Sequence, residues 1–152
     1  MDRINALAAR ARAAGLPVIV IQHEEPESPM AHGAPGWQLY SRLDAKPEDI
    51  RIRKTTPDSF LRTGLDARLK ERGADSVVIC GLQSEYCIDS TTRGALALGY
   101  PVTLASDAHS TIDNGVLKAA EISAHHNATL AGMSSFGPRV TLKPAAQIAF
   151  AP

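Results

Sequence analysis

Lys54 and Cys87 are the residues of this 152-residue sequence whose types and settings point to a shared chemistry. The segment Gly81-Leu82-Gln83-Ser84-Glu85-Tyr86-Cys87 leads from an apolar, β-branched run into a helical pattern, which sets Cys87 in the first turn of a helix. Backbone N–H groups and the positive end of the helix dipole stabilise a thiolate there. The same N–H groups can hold an oxyanion, so one turn would supply both a nucleophile and an electrophilic stabiliser. The competing reading is a cysteine buried as a small hydrophobe, and Cys80, inside the apolar run, fits it. Six residues separate the two cysteines, which is no CxxC redox spacing. Lys54 shares strand parity with Ile50 and Ile52, so its ammonium leans to the apolar side while Arg51 and Arg53 face out. An ammonium desolvated in this way supplies positive charge to a neighbouring anion. A lysine snorkelling from a strand end has the same spacing, and both readings stay open.

Other candidates are weaker. His23 and Asp107 also follow apolar runs, at strand ends where side chains could converge with Lys54 and Cys87. Asp107-Ala108-His109 could hold a proton-transfer pair, but an Asp in this position more often caps the next helix or turn, and the structural reading is preferred. His125 and His126 are adjacent on a helix and point in different directions, which suits a subunit interface or the surface better than a shared metal. Trp37, Tyr40, Phe60 and Tyr86 are too scattered for a stacking platform, although one or two could line a pocket. Neither GxGxxG nor GxxxxGK[ST] occurs, so no glycine-rich phosphate loop is supported.

The elements that must position these residues start with a helix, because Ile4, Leu7, Ala8, Ala11 and Ala14 recur at helical spacing and Gly15 is a stop signal. Val18-Ile19-Val20-Ile21 reads as a strand covered on both faces. Residues 24 to 49 carry four prolines and two glycines with few apolar anchors, so they are predicted to form a long surface excursion, with one helical turn around Gln38 to Leu43. Excursions of this length are often functional. An alternating strand over Ile50 to Lys54 follows, then a helix over 63–73, a strand over 77–81, a helix over Tyr86 to Leu98, a strand over Val102 to Ala105, a helix over Val116 to Leu130 and a strand over Arg139 to Leu142. Strands alternating with helices imply right-handed crossovers and a three-layer, Rossmann-like α/β fold, a parallel sheet with helices on both faces. Such folds carry their chemistry at the carboxyl ends of the strands. The chain opens on a helix, where an alternating fold of this kind commonly has a strand.

Sixteen Lys and Arg balance sixteen Asp and Glu, which argues against a general nucleic-acid binder. Two cysteines cannot make a disulfide framework or a four-ligand zinc site alone. The opening residues MDRINALAARARAAG are interrupted by Arg10 and Arg12 and do not read as a secretory signal. The apolar runs fall far short of the roughly twenty residues that span a bilayer. A single domain over residues 1–152, soluble and cytoplasmic, is expected.

The stretch GLQSEYCIDSTT, residues 81–92, resembles the nucleophile signature of the isochorismatase-like cysteine hydrolases, which include nicotinamidases; GALALGYPVTLASDAHST continues the likeness, and RKTTPDSF puts Lys54 and Phe60 where that family has its catalytic Lys and a following Phe. The resemblance runs over nearly the whole chain. It implies Cys87 as nucleophile, Lys54 as electrostatic partner, an oxyanion hole of the Gln83 and Cys87 N–H groups, and a cis peptide between Leu82 and Gln83. It implies attack on the carbonyl of a small carboxamide, loss of ammonia or an amine, and hydrolysis of the thioester, with His23, Trp37, Phe60 and Tyr86 about the substrate pocket. No cofactor is expected. Metal-binding relatives use an Asp and two His, and His32 in EEPESPMAHG has no convincing spacing, so no metal is expected either. Homo-oligomers, dimers or tetramers, are expected through the faces of the first helix and of the helix bearing His125 and His126. The family's third catalytic residue is an Asp at the end of a central first strand, in an Asp-x-Gln pattern; this sequence has no such strand, and Asp2 does not end an apolar run. An N-terminally incomplete chain, replacement by another segment, or an impaired scaffold or small-ligand binder are the alternatives.

Overall fold

The computed structural model describes residues 1–150. Nine principal elements follow in order: α1 (Asp2–Ala13), β1 (Ile19–His23), β2 (Ile50–Lys54), α2 (Leu65–Glu71), β3 (Val77–Leu82), α3 (Asp89–Ala97), β4 (Val102–Ser110), α4 (Ala119–Gly132) and β5 (Val140–Lys143). All pairings are parallel. The alternation read from the sequence is thus present, but the strands form two ladders, β1–β2 and β3–β4–β5, in place of one sheet. The reason is a pairing that is missing: among the described residues no strand bonds to the free edge of β1 or β3. The ladders are joined by side chains. Ile19, Ile21 and Ile52 of one ladder and Val77 and Ile79 of the other pack against a shared core of Leu65, Leu69, Leu96, Val102, Leu104 and Leu130. Each such fully buried leucine contributes about 1.5–3 kcal/mol.

The other face is covered by α1, whose buried Leu7 and Ala11 share an apolar stripe four residues apart. Leu7 packs with Ala105, Ala108, Ala145 and Ile148 in a second cluster. Small residues on β4 let the helix approach closely. Arg10 reaches across to the carbonyl of Ala145, and Gly15, at φ 73°, ends the helix in the left-handed conformation that glycine alone adopts freely.

α1 also anchors the far end of the excursion between β1 and β2. Asp49 is buried, and it accepts a forked pair of bonds from Arg12, at 2.9 and 2.7 Å, and one from the Lys46 N–H at 2.7 Å. Asn5 donates to the Arg42 carbonyl and accepts from the Asp44 N–H. The helical turn predicted around Gln38 to Leu43 is not formed; a short 3-10 turn occupies Pro35–Trp37 instead. Proline at the first position of that turn has its φ preset and lacks an N–H that would need a partner. No helix of the described residues is long and apolar enough to cross a membrane.

The Arg12 guanidinium holds the Asp49 carboxyl below its ordinary 3.8, its burial opposing the shift. A carboxylate whose folded value is depressed stabilises the fold above its unfolded value and loses that contribution as pH falls through the folded one. Asp49→Ala is expected to cost about 3 kcal/mol, because it strands Arg12. Urea melts at pH 7 and pH 3 check this, with the gap between wild type and variant narrowing at the lower pH.

Candidate active site

β3 ends in a backbone geometry that few residue types tolerate. Gly81 sits at φ 129°, where a side chain is strained whatever space it has, and the following Leu82–Gln83 peptide is cis. The chain then makes a wide turn, Ser84–Ile88, in which the Gln83 carbonyl accepts from the Tyr86 N–H at 3.2 Å and from the Ile88 N–H at 3.1 Å. The second is an i→i−5 bond, the π type that widens a helix by one residue. The predicted α-helix from Tyr86 is corrected accordingly: Cys87 lies in this wide turn, and the α-helix begins at Asp89.

On the neighbouring ladder the burial of β2 alternates, with Arg51 and Arg53 exposed and Lys54 buried at 5% exposure. Lys54 Nζ donates to the carbonyls of Thr56 at 2.8 Å and Pro57 at 2.9 Å, and to Cys87 Sγ at 3.1 Å. An ammonium has three donors, and these contacts use all three. Of the three partners only the sulfur belongs to an ionisable group, and it is the one contact that links β2 to the turn after β3.

The two carbonyls are held by a loop fastened to α3. Ser59 is buried, its N–H donating to Thr91 Oγ1 at 3.1 Å and its hydroxyl lying 2.8 Å from the same oxygen. Asp58 Oδ1 accepts from the Phe60 N–H at 2.9 Å. A Cβ on Gly94 would lie 2.6 Å from that Asp58 oxygen, so a side chain there would have to displace the Asp58 carboxylate. One turn earlier, Asp89 accepts a forked pair from Arg93 and lies 3.2 Å from His126 Nδ1, tying α3 to α4.

The remaining sequence candidates are more dispersed. His23 is in register with Lys54 across the β1–β2 ladder, and its buried Nδ1 has no hydrogen-bond partner among the described residues. Tyr86 is exposed, in the turn beside Cys87. Phe60 stacks on Tyr100 at 6.1 Å between centroids and packs against the core. Trp37 meets His32 edge-on at 4.6 Å and lines an open cleft with Gln22, Gln38, Leu39, Arg51 and Arg53, a set that includes neither Lys54 nor Cys87. Asp2 pairs with Arg42 on the exposed side of α1.

Asp107 does not stand at a strand end. β4 runs on to Ser110, and Asp107 accepts from the Ala145 N–H at 2.7 Å and pairs with Arg3. The structural reading of this residue holds, but the turn it fixes is distant in sequence. His109, set aside with it, is buried beside the Ser84–Ile88 turn, its Nδ1 2.7 Å from Ser84 Oγ. Its only sequence signal was a histidine a few residues beyond an apolar run. Among the described residues no three of His, Cys, Asp and Glu group as metal ligands.

A thiol in the turn after one parallel strand, met by a buried ammonium from another, defines an α/β protein with its reactive groups at the carboxyl ends of its strands. Residues 1–142 match the Isochorismatase domain, and the chain belongs to that family. It is 41% identical over 114 residues to a streptothricin hydrolase of Streptomyces noursei, covering 74% of this chain and 41% of that protein. It is 35% identical over 92 residues to the ureidoacrylate amidohydrolase RutB of Caulobacter vibrioides, covering 60% and 41%. A solved isochorismatase family protein superposes with a TM-score of 0.85 at 39% identity, covering 93% of this chain and 81% of that one. The chain thus spans about two fifths of the length of the two hydrolases.

Two outcomes follow from the site. Burial pushes the Cys80 thiol up to about 11, so at pH 8 only about one part in a thousand is thiolate; iodoacetamide is expected to label Cys87 at least about fiftyfold faster, read by peptide mass spectrometry. Gly94→Ala is expected to cost about 1–3 kcal/mol in a urea melt by overpacking against Asp58, and to slow Cys87 labelling as the Thr56 and Pro57 carbonyls shift.

Proposed function

We propose that this chain carries the nucleophile of a hydrolase that cleaves the C–N bond of a small carboxamide. The observation that carries the reading is the 3.1 Å contact between Lys54 Nζ and Cys87 Sγ, made by a lysine that is 5% exposed. In the proposed reaction the thiolate attacks the amide carbonyl, and an Sγ–C bond forms as the carbonyl π pair moves onto oxygen. The N–H groups of Gln83 and Cys87 hold that oxyanion. The tetrahedral species collapses, the C–N bond breaks, and ammonia or an amine leaves with a proton from solvent, which is returned when the thiol ionises again. Water then attacks the thioester and releases the acid and the thiol. The net change is addition of one water across the C–N bond.

The names of the relatives support this class, since one is a hydrolase of streptothricin and another an amidohydrolase of ureidoacrylate. His23, Trp37, Phe60 and Tyr86 are proposed to shape the substrate side, His23 through its unpartnered ring nitrogen. Two free thiols suit the reducing cytoplasm, and α1 and α4 offer faces for homo-oligomer contacts. A second reading, a small-ligand binder without turnover, is favoured by the partners of Lys54: two carbonyls and a sulfur, with Asp2 engaged elsewhere by Arg42.

The test is ammonia release from a panel of simple carboxamides and ureido acids, with acid-quenched mass spectrometry of the Cys87 peptide. Turnover with an acyl adduct on Cys87 is expected, falling by about a thousandfold or more in Cys87→Ala. Turnover that survives Cys87→Ala overturns the proposal. Saturable binding of a panel member with neither ammonia nor adduct establishes the second reading instead.

A further inference from the structure

Behind the nucleophile turn lies a polar chain, buried at Ser84 and His109 and half-buried at Ser123 and Asn127, that the proposed reaction does not use. Ser84 is fully buried and His109 is 7% exposed. Ser84 Oγ lies 2.7 Å from His109 Nδ1 and 3.0 Å from Ser123 Oγ; His109 Nε2 lies 2.9 Å from Asn127 Oδ1; and Asn127 Nδ2 donates to the Ser106 carbonyl at 3.0 Å. The last bond fixes every other direction. With the Asn127 amide nitrogen committed to Ser106, its oxygen faces the histidine, so Nε2 bears a proton, and in the neutral ring Nδ1 accepts from the Ser84 hydroxyl. The Ser84 oxygen then accepts from Ser123.

The backbone is shaped to bring this about. Between Ile79↔Leu104 and Gly81↔His109 the register advances two residues on β3 but five on β4, a wide bulge that sets His109 beside Gly81. Ser123 and Asn127, four apart, lie on one face of α4. Three elements, β4, α4 and the wide turn, are thus tied at Ser84, between the two residues whose N–H groups are proposed to hold the oxyanion. Apolar packing would join the same elements without the desolvation cost of a histidine, two serines and an amide. A fully satisfied chain instead fixes one conformation.

We infer that His109 is a positioning residue that, through Ser84, holds the 83–87 turn in the geometry that stabilises an acyl-transfer oxyanion. This rests on the cysteine-hydrolase reading above. Two reagents separate oxyanion stabilisation from nucleophilicity at the same sulfur. With p-nitrophenyl acetate, the Sγ–C bond forms, the C–O bond breaks and p-nitrophenolate leaves with the electron pair, after an oxyanion has formed. Iodoacetamide is attacked at its methylene carbon with loss of iodide and forms no oxyanion.

The experiment measures both rates on the Cys87 peptide by mass spectrometry, for wild type, His109→Leu, His109→Asn and Ser84→Ala. The asparagine substitution would offer an amide oxygen near the Nδ1 position. His109→Leu and Ser84→Ala are expected to slow acylation about tenfold or more, with alkylation within about twofold of wild type and His109→Asn recovering most of the acylation. An unchanged ratio of the two rates in Ser84→Ala and His109→Leu overturns the inference, as does a His109→Asn no better than His109→Leu. Should His109→Leu fail to fold, Ser84→Ala, which removes one oxygen, decides by the same ratio. A wild-type ratio no higher than that of N-acetylcysteine refutes the hydrolase reading itself, and is told apart because it needs no variant.

Discussion

A buried ammonium with sulfur as its one chargeable partner is the constraint around which this fold is arranged. Removing Lys54 from water costs several kcal/mol unless something nearby answers its charge. The Thr56 and Pro57 carbonyls supply dipoles, and Cys87 supplies the group that can ionise. The contact spans the two ladders, because Lys54 ends β2 and Cys87 follows β3. Its geometry therefore depends on the side-chain core that joins them, against which Ile19, Ile21 and Ile52 pack from one ladder and Val77 and Ile79 from the other.

Each neighbouring device limits one freedom of that contact. Thr91 and Gly94 hold the 55–60 loop on α3, which aims the two carbonyls at Nζ. Gly81 and the wide turn bring Cys87 round at the end of β3. Asp89, shared between Arg93 and His126, ties the start of α3 to α4. On the opposite face, the Arg12–Asp49 pair fixes the end of the excursion just before β2 begins. The Ser59–Thr91, Asp89–His126 and Arg12–Asp49 contacts each join elements distant in sequence.

Much of this was legible in the residues. Period-two alternation in Ile50-Arg51-Ile52-Arg53-Lys54 gave the strand and the side from which Lys54 leaves it, because a half-covered strand leaves that pattern wherever it lies, but it did not decide between a buried and a snorkelling ammonium. Apolar β-branched runs located the other strands, and the motif around Cys87 gave the family. What escaped was set by contacts between remote segments. β4 extends to Ser110 because it pairs with the end of β3 after a bulge, and Ser106, Asp107 and His109 in that extension look like loop residues. The i→i−5 bond at Gln83 has no periodic signature over five residues. The division into two ladders depends on which edges find partners, which no local pattern records.

The most direct test of the Lys54–Cys87 pairing is the second-order rate of Cys87 with iodoacetamide at pH 7.0 in wild type and in Lys54→Met, a substitution that keeps the length and apolar stem of the side chain and removes its charge. If the ammonium stabilises the thiolate, the rate falls about tenfold or more in Lys54→Met while the slow labelling of Cys80 is unchanged. Equal rates at Cys87 in the two proteins would contradict the pairing as the source of its reactivity.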